Sequence, residues 1–130
     1  MSTFVGNSFP SGMFLIKDNE GIKEVKTDDY FKSKKVVLFA LPGAFTPTCS
    51  AKHLPGYLKF YKDIKDKGVD LIACMAVNDP HVMRAWSLAN EVEGKIDMLS
   101  DTDCSISEAL GLLHNFGKVM GIRSRRFAMI

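Results

Sequence analysis

The chain has 130 residues, 46% of them hydrophobic and 25% charged, which suits one globular domain (residues 1–130) with a real core. A net charge of +2, from 17 basic and 15 acidic residues, lacks the strong basic excess of a nucleic-acid binder. Three cysteines are too few, and odd in number, for a disulfide scaffold, and with the three histidines they make no zinc-site spacing, so no metal or cofactor is expected.

Met1-Ser2-Thr3-Phe4 shows no basic region followed by an apolar run. No apolar stretch approaches the roughly 20 residues of a membrane span. The expectation is a soluble cytoplasmic protein, or an organellar one whose presequence has been removed. No internal repeat or low-complexity tract breaks the chain.

Residues 13–16 and 22–25 flank Lys17-Asp18-Asn19-Glu20-Gly21, which predicts two short strands around a turn with Gly21 at φ > 0. Thr27 is expected to cap a short helix, with Asp28 and Asp29 in its first turn. Residues 36–41 are apolar without alternation, so a strand buried on both faces is predicted. From Thr48 to Lys67, Leu54, Tyr57, Leu58, Tyr61 and Ile64 recur at spacings of three and four, as in a helix. Pro55 should kink it and Gly68 should end it. Residues 69–77 read as a second apolar strand. Asp79 and Pro80 read as the N-cap and first residue of a helix running to about Ala89, carrying Val82, Met83, Trp86 and Leu88. A short strand is predicted over 96–99, and a helix over 103–112 capped by Asp101 or Asp103. Residues 117–124 read as a loop and 125–130 as a last strand. Lys118 and Arg123 are expected on a solvated edge. The alternation of strands and helices predicts an α/β fold, a mixed central sheet with helices on both faces.

In such sheets chemistry gathers beyond the carboxyl ends of the strands. Leu41-Pro42-Gly43-Ala44-Phe45-Thr46-Pro47-Thr48-Cys49-Ser50 stands there, after the buried strand and at the start of a helix. A thiolate is the nucleophilic form of cysteine. The unpaired N–H groups of a helix start favour that anion, and so would an arginine beside it. The Thr46 hydroxyl can donate to one oxygen of a bound peroxide and accept from another group. Pro42 and Pro47 lack N–H donors and can wall the sulfur from water. The expected step is attack of Cys49 on an O–O bond, leaving a sulfenic acid.

Pro42-x-x-x-Thr46-x-x-Cys49 resembles the active-site motif of the peroxiredoxins. The longer string through His53-Leu54-Pro55-Gly56 is similar to their type II, atypical two-cysteine (peroxiredoxin-5-like) subfamily. So are Ala76-Val77-Asn78-Asp79-Pro80 with Val82-Met83 and Ala85-Trp86, and Arg123-Ser124-Arg125-Arg126-Phe127. The three blocks stand in register from about residue 4 to the last residue. The resemblance implies a thioredoxin-like fold and thiol peroxidase activity toward hydrogen peroxide and alkyl hydroperoxides. It implies thioredoxin, or glutathione with glutaredoxin, as reductant, and a homodimer. By position, Cys49 would be the peroxidatic cysteine. Thr46 would bind peroxide, Pro42 would shield the site, and Arg126 would polarise thiolate and peroxide.

Family members usually continue past the Arg126-Phe127 strand with another strand and a C-terminal helix, which in some carries the resolving cysteine. Here the chain ends at Ile130, as an incomplete sequence, a variant product, or a chain completed by a partner would. An exposed last strand and resolution of Cys49 by an external thiol are then expected. A truncated, weakly active, redox-sensitive interaction module is the alternative function. Cys74, in mid-strand, reads as core more readily than as a resolving partner. Cys104 sits among acids that disfavour its thiolate. His53 reads as a structural hydrogen-bonding group more readily than as a base. Trp86 and Met83 read as core or interface. Phe45 either packs inward or joins a dimer contact, with the dimer favoured.

Overall fold

The structure, a computed structural model, describes residues 6–130. The Met1–Phe4 stretch lies outside them. The predicted hairpin forms from β1 (Met13–Asp18) and β2 (Gly21–Lys26), and Gly21 turns it at φ 126°. Next come α1 (Thr27–Phe31), β3 (Val36–Ala40), a π turn (Cys49–His53), α2 (Leu54–Lys59) and α3 (Tyr61–Asp66). Then follow β4 (Leu71–Ala76), α4 (Pro80–Ala89), β5 (Asp97–Ser100) and α5 (Ser105–Ala109). The last elements are β6 (Leu113–Asn115), β7 (Ile122–Ser124) and β8 (Phe127–Met129). The main sheet runs β2-β1-β5-β4-β3-β8, and β6 pairs with β7 apart from it.

β3, β4 and β5 pair in parallel, while β1 and β8 join antiparallel. β3 is buried along its whole length, as its lack of alternation required. Its residues divide by parity, because successive side chains point to opposite faces. Val37, Phe39 and Leu41 enter one core with Cys49, Leu54, Cys74, Met83 and Trp86. Val36, Leu38 and Ala40 enter the other with Phe14, Tyr30, Met75, Leu99 and Ile106. The second and third helical segments and α4 thus cover one face, and α1 and α5 the other. Met83 and Trp86 belong to the core.

Four local expectations need correction. Thr27 does not cap α1: it is the first helical residue, and its hydroxyl donates to Pro10 O (3.0 Å) and accepts from Gly12 N (3.0 Å). The helix after Cys49 is three pieces, because Pro55 brings no N–H and its ring crowds the carbonyl four residues back. The chain answers with a wide turn in which Leu54 N–H reaches Cys49 O, and Phe60 (φ −97°, ψ 13°) then separates α2 from α3. The helix predicted over 103–112 shrinks to Ser105–Ala109, since Cys104 (φ 65°) and Gly111 (φ 71°) take left-handed backbone that a right-handed helix cannot contain. Asp101 holds its start from outside, accepting from Ile106 N (3.1 Å) and Ser107 N (2.7 Å). Residues 122–124, read as loop, are β7; three-residue strands are too short to show a period. Asp79 does cap α4, accepting from Val82 N at 3.0 Å.

Candidate active site

β3 hands the chain to the cysteine loop. Leu41 N–H still donates to Met75 O (3.3 Å), so the strand's pairing with β4 carries on to the edge of the loop. Phe45 then turns at φ 60°, and Ser50 N–H donates to Thr46 O (2.9 Å), which starts a helical run at Pro47. Cys49 is the third residue of that run, in its first turn, and only 1% exposed. From α4, Trp86 Nε1–H donates to Ser50 Oγ (3.1 Å), tying the turn that carries Cys49 to the core.

The cation arrives from the far end of the chain. β8 pairs with β3 in the register Leu38↔Met129, Phe39↔Ala128, Ala40↔Phe127. One step further along that ladder places Arg126 across from Leu41, at the mouth of the loop. Its Nη2 donates to Cys49 Sγ at 3.3 Å, across 77 residues of sequence. Its Nη1 donates to His53 Nδ1 at 2.5 Å. An arginine has no acceptor, so His53 Nδ1 is unprotonated and the ring proton sits on Nε2. His53 lies against Phe39 and Tyr57, whose rings stack with centroids 3.8 Å apart. Burial, and then the Arg126 charge, hold its pKa below the ordinary histidine value.

Thr46 and Pro42 occupy the same loop, but among the described residues no hydrogen bond joins either to the sulfur. Thr46 Oγ1 donates to Gly43 O (2.6 Å), so its proton is committed there and its lone pairs remain free to accept. Pro42 is buried, and its carbonyl accepts from Arg123 Nη1 (3.1 Å).

Arg123 therefore leaves the solvated edge assigned to it from sequence. It is half-buried, and its Nε also donates to Met120 O (3.0 Å), which links the turn between β6 and β7 to the cysteine loop. Asn78, just after β4, accepts from Ala44 N–H at 2.8 Å. Neither role was read from sequence, although both residues stand in the blocks that carry the family resemblance. Gly43 lets the two clamps close. A Cβ there would lie 2.2 Å from Arg123 Nη1 and 3.1 Å from Asn78 Oδ1. Gly43→Ala is expected to displace Arg123 from Pro42 and lower peroxidase kcat/KM about tenfold, with a stability loss of about 1–3 kcal/mol. The check is a double-mutant cycle: Gly43→Ala with Arg123→Ala should lose clearly less than the sum of the single losses.

The Redoxin family model matches residues 4–130. Peroxiredoxin-2B of Arabidopsis thaliana is 41% identical over 128 residues, 97% of this chain and 79% of that protein. The crystal structure of reduced Prx3 from Vibrio vulnificus in complex with hydrogen peroxide superposes with a TM-score of 0.93 at 47% identity, covering 96% of this chain and 78% of that one. Peroxiredoxin 5 from Alvinella pompejana gives 0.84 at 38% identity, covering 93% and 77%. The chain belongs to the peroxiredoxins.

This peroxiredoxin has the thioredoxin-like fold of its relatives and their class of activity, a thiol-dependent peroxidase that takes peroxide as substrate and a thiol as reductant. Its other cysteines lie on other elements than the loop. Cys74 is fully buried in β4 opposite Phe39, and burial, then the nearness of Cys49, push its thiol well up. Cys104 is partly exposed, and burial, then Asp101, Asp103 and Glu108, push its thiol up. Phe45 is 58% exposed, so it does not pack inward. Among the described residues no cluster of three or more His, Cys, Asp or Glu could hold a metal ion, and no helix is long and apolar enough to cross a membrane.

Proposed function

We propose that Cys49 is the peroxidatic nucleophile of this peroxidase, with Arg126, Thr46 and Pro42 as its partners. The observation that carries this is the single guanidinium of Arg126, which donates to Cys49 Sγ at 3.3 Å from the edge of the sheet. A guanidinium on sulfur favours the thiolate and remains a donor for the oxygen that develops charge. Thr46 Oγ1, with its own proton on Gly43 O, accepts the peroxide O–H and orients the O–O bond. The Pro42 ring closes the loop without a competing donor. Cys49 S⁻ attacks the distal oxygen, an S–O bond forms and the O–O bond breaks. Sulfur is oxidised by two electrons, and the leaving oxygen takes up the proton that the thiol had released, giving water or an alcohol.

Intact-mass measurement after one equivalent of hydrogen peroxide tests the assignment. The wild type should gain one oxygen atom, Cys74→Ser and Cys104→Ser should do the same, and Cys49→Ser should not. A gain that survives Cys49→Ser would overturn it.

His53 makes the site pH-sensitive. Its lowered pKa means that the fold favours the neutral ring, so this preference is present at neutral pH and lost as pH falls through the folded value, which lies below 6.5. Protonation at Nδ1 would set a donor and a positive charge against Arg126. The wild type should therefore lose kcat/KM on the acid side in that window. His53→Gln, whose amide oxygen accepts without titrating, should flatten the loss; parallel pH profiles for the two enzymes would refute this.

Cys74 and Cys104 are poorly suited to resolve a sulfenic acid at Cys49, which supports an external thiol, thioredoxin or glutathione with glutaredoxin. Three unpaired cysteines suit a reducing compartment such as the cytoplasm. The two cores share β3 and β4, which supports residues 1–130 as one domain. The exposed Phe45 beside the cysteine loop supports a homodimer contact there.

A further inference from the structure

The cysteine loop takes one end of β3. At the other end β3 and β4 begin side by side, because the two strands are parallel. There residues 32–35 meet the turn 65–70. Asp70 N–H donates to Lys35 O (2.8 Å), Lys35 N–H donates to Asp70 Oδ2 (2.7 Å), and Lys65 Nζ donates to Asp70 O (2.5 Å). Left-handed backbone at Ser33 (φ 58°) and Gly68 (φ 88°) turns each linker tightly into its strand.

These bonds gather five lysines. Lys32, Lys34, Lys35 and Lys67 are exposed, and Lys65 is half-buried. Among the described residues no salt bridge touches any of them. The acids beside them are Asp66 and Asp70, and Asp70 already serves the Lys35 N–H. Five lysines against two aspartates outweigh the +2 of the whole chain, so positive charge collects at this end of the molecule.

The make-up of this face selects its partner. Its cations are all lysines, while Arg84, Arg123, Arg125 and Arg126 stand elsewhere. An arginine fork reads a single phosphate by two bonds, whereas a lysine acts as a point charge. Among the described residues, 32–35 and 65–70 expose no large apolar side chain. A protein interface draws on an apolar and aromatic core, and single-stranded nucleic acid on exposed aromatics. A broad anionic surface needs neither, only closely spaced positive charge.

We propose that this end of the molecule docks on anionic phospholipid membranes through Lys32, Lys34, Lys35, Lys65 and Lys67. The docking is peripheral and electrostatic, with nothing inserted. β3 is five residues long, roughly 17 Å at about 3.3 Å per residue, and it holds the Cys49 loop that far from the lipid surface. The docked peroxidase therefore keeps its loop open to peroxide and reductant in the water.

Co-sedimentation with vesicles tests this, using phosphatidylcholine alone and equal parts phosphatidylcholine and phosphatidylserine. The protein should bind only the anionic vesicles and leave them at about 1 M salt, where charges are screened beyond about 3 Å. Lys34→Gln with Lys35→Gln should weaken binding about 25-fold, about fivefold per lysine, and Lys32→Gln with Lys67→Gln should do the same. Lys26→Gln with Lys118→Gln removes equal charge from the far end of the β1–β2 hairpin and the β6–β7 turn, and should leave binding nearly unchanged. Hydrogen peroxide turnover should be the same with and without anionic vesicles. No binding to those vesicles, or equal losses in all three double variants, would overturn the proposal. Equally tight binding to duplex DNA would assign the face to nucleic acid and overturn it. Vesicles that block turnover would place the cysteine loop on the lipid and overturn it as well. Cys49→Ser should bind vesicles like the wild type, so this test stands apart from the nucleophile assignment.

Discussion

Cys49→Ser is expected to remove peroxide turnover altogether, a fall of more than about 10⁴-fold, as loss of a covalent nucleophile commonly costs. Serine keeps nearly the size and shape of the side chain but ionises far less readily than a thiol. The fold should survive, because Trp86 on Ser50 and the β3–β4 ladder hold the loop independently of the sulfur. The measurement is reductant-coupled peroxide consumption beside a thermal melt. Cys74→Ser and Cys104→Ser should retain most of the activity, since their thiols are pushed up and lie outside the loop. Comparable losses in all three variants would remove Cys49 from its role.

Arg126→Met should lower kcat/KM by about 10²–10³, the usual cost of deleting one donor aimed at developing charge. The residue is exposed at a sheet edge, so the loss should come with little change in melting temperature. Arg126→Lys should recover only a small part. The guanidinium serves two acceptors at once, Cys49 Sγ through Nη2 and His53 Nδ1 through Nη1, and a point-charge ammonium does not reproduce that fork. The rate at which Cys49 reacts with a neutral alkylating reagent gives a second readout, because it follows the thiolate fraction. It should fall in Arg126→Met and stay low in Arg126→Lys. Unchanged alkylation with intact peroxide turnover would show that the contact is structural only.

Much of the framework was legible from local pattern. The unbroken run at β3 announced a strand buried on both faces, and Asp79-Pro80 announced the start of α4. Arg126 was legible by resemblance, from its place before Phe127. Arg123 was misread because a basic residue in a basic stretch usually faces water, and nothing local says that Pro42 O stands opposite it. The π turn was missed because a proline inside a helical period signals a break without saying how the chain absorbs it. β6 and β7 were missed in part because strands this short carry no period.

By itself, then, the sequence determined which residues are buried, where the chain turns, and that a cysteine follows a buried strand at the start of a helix. These follow from nearest neighbours, from side-chain size, and from the backbone limits of proline and glycine. Tertiary structure decided what meets the sulfur. The β3–β8 register aligns Ala40 with Phe127, which brings Arg126 over Cys49 and beside His53, while Arg123 reaches Pro42 from β7. A contact across 77 residues depends on how two strands slide against each other, and no local spacing encodes that slide.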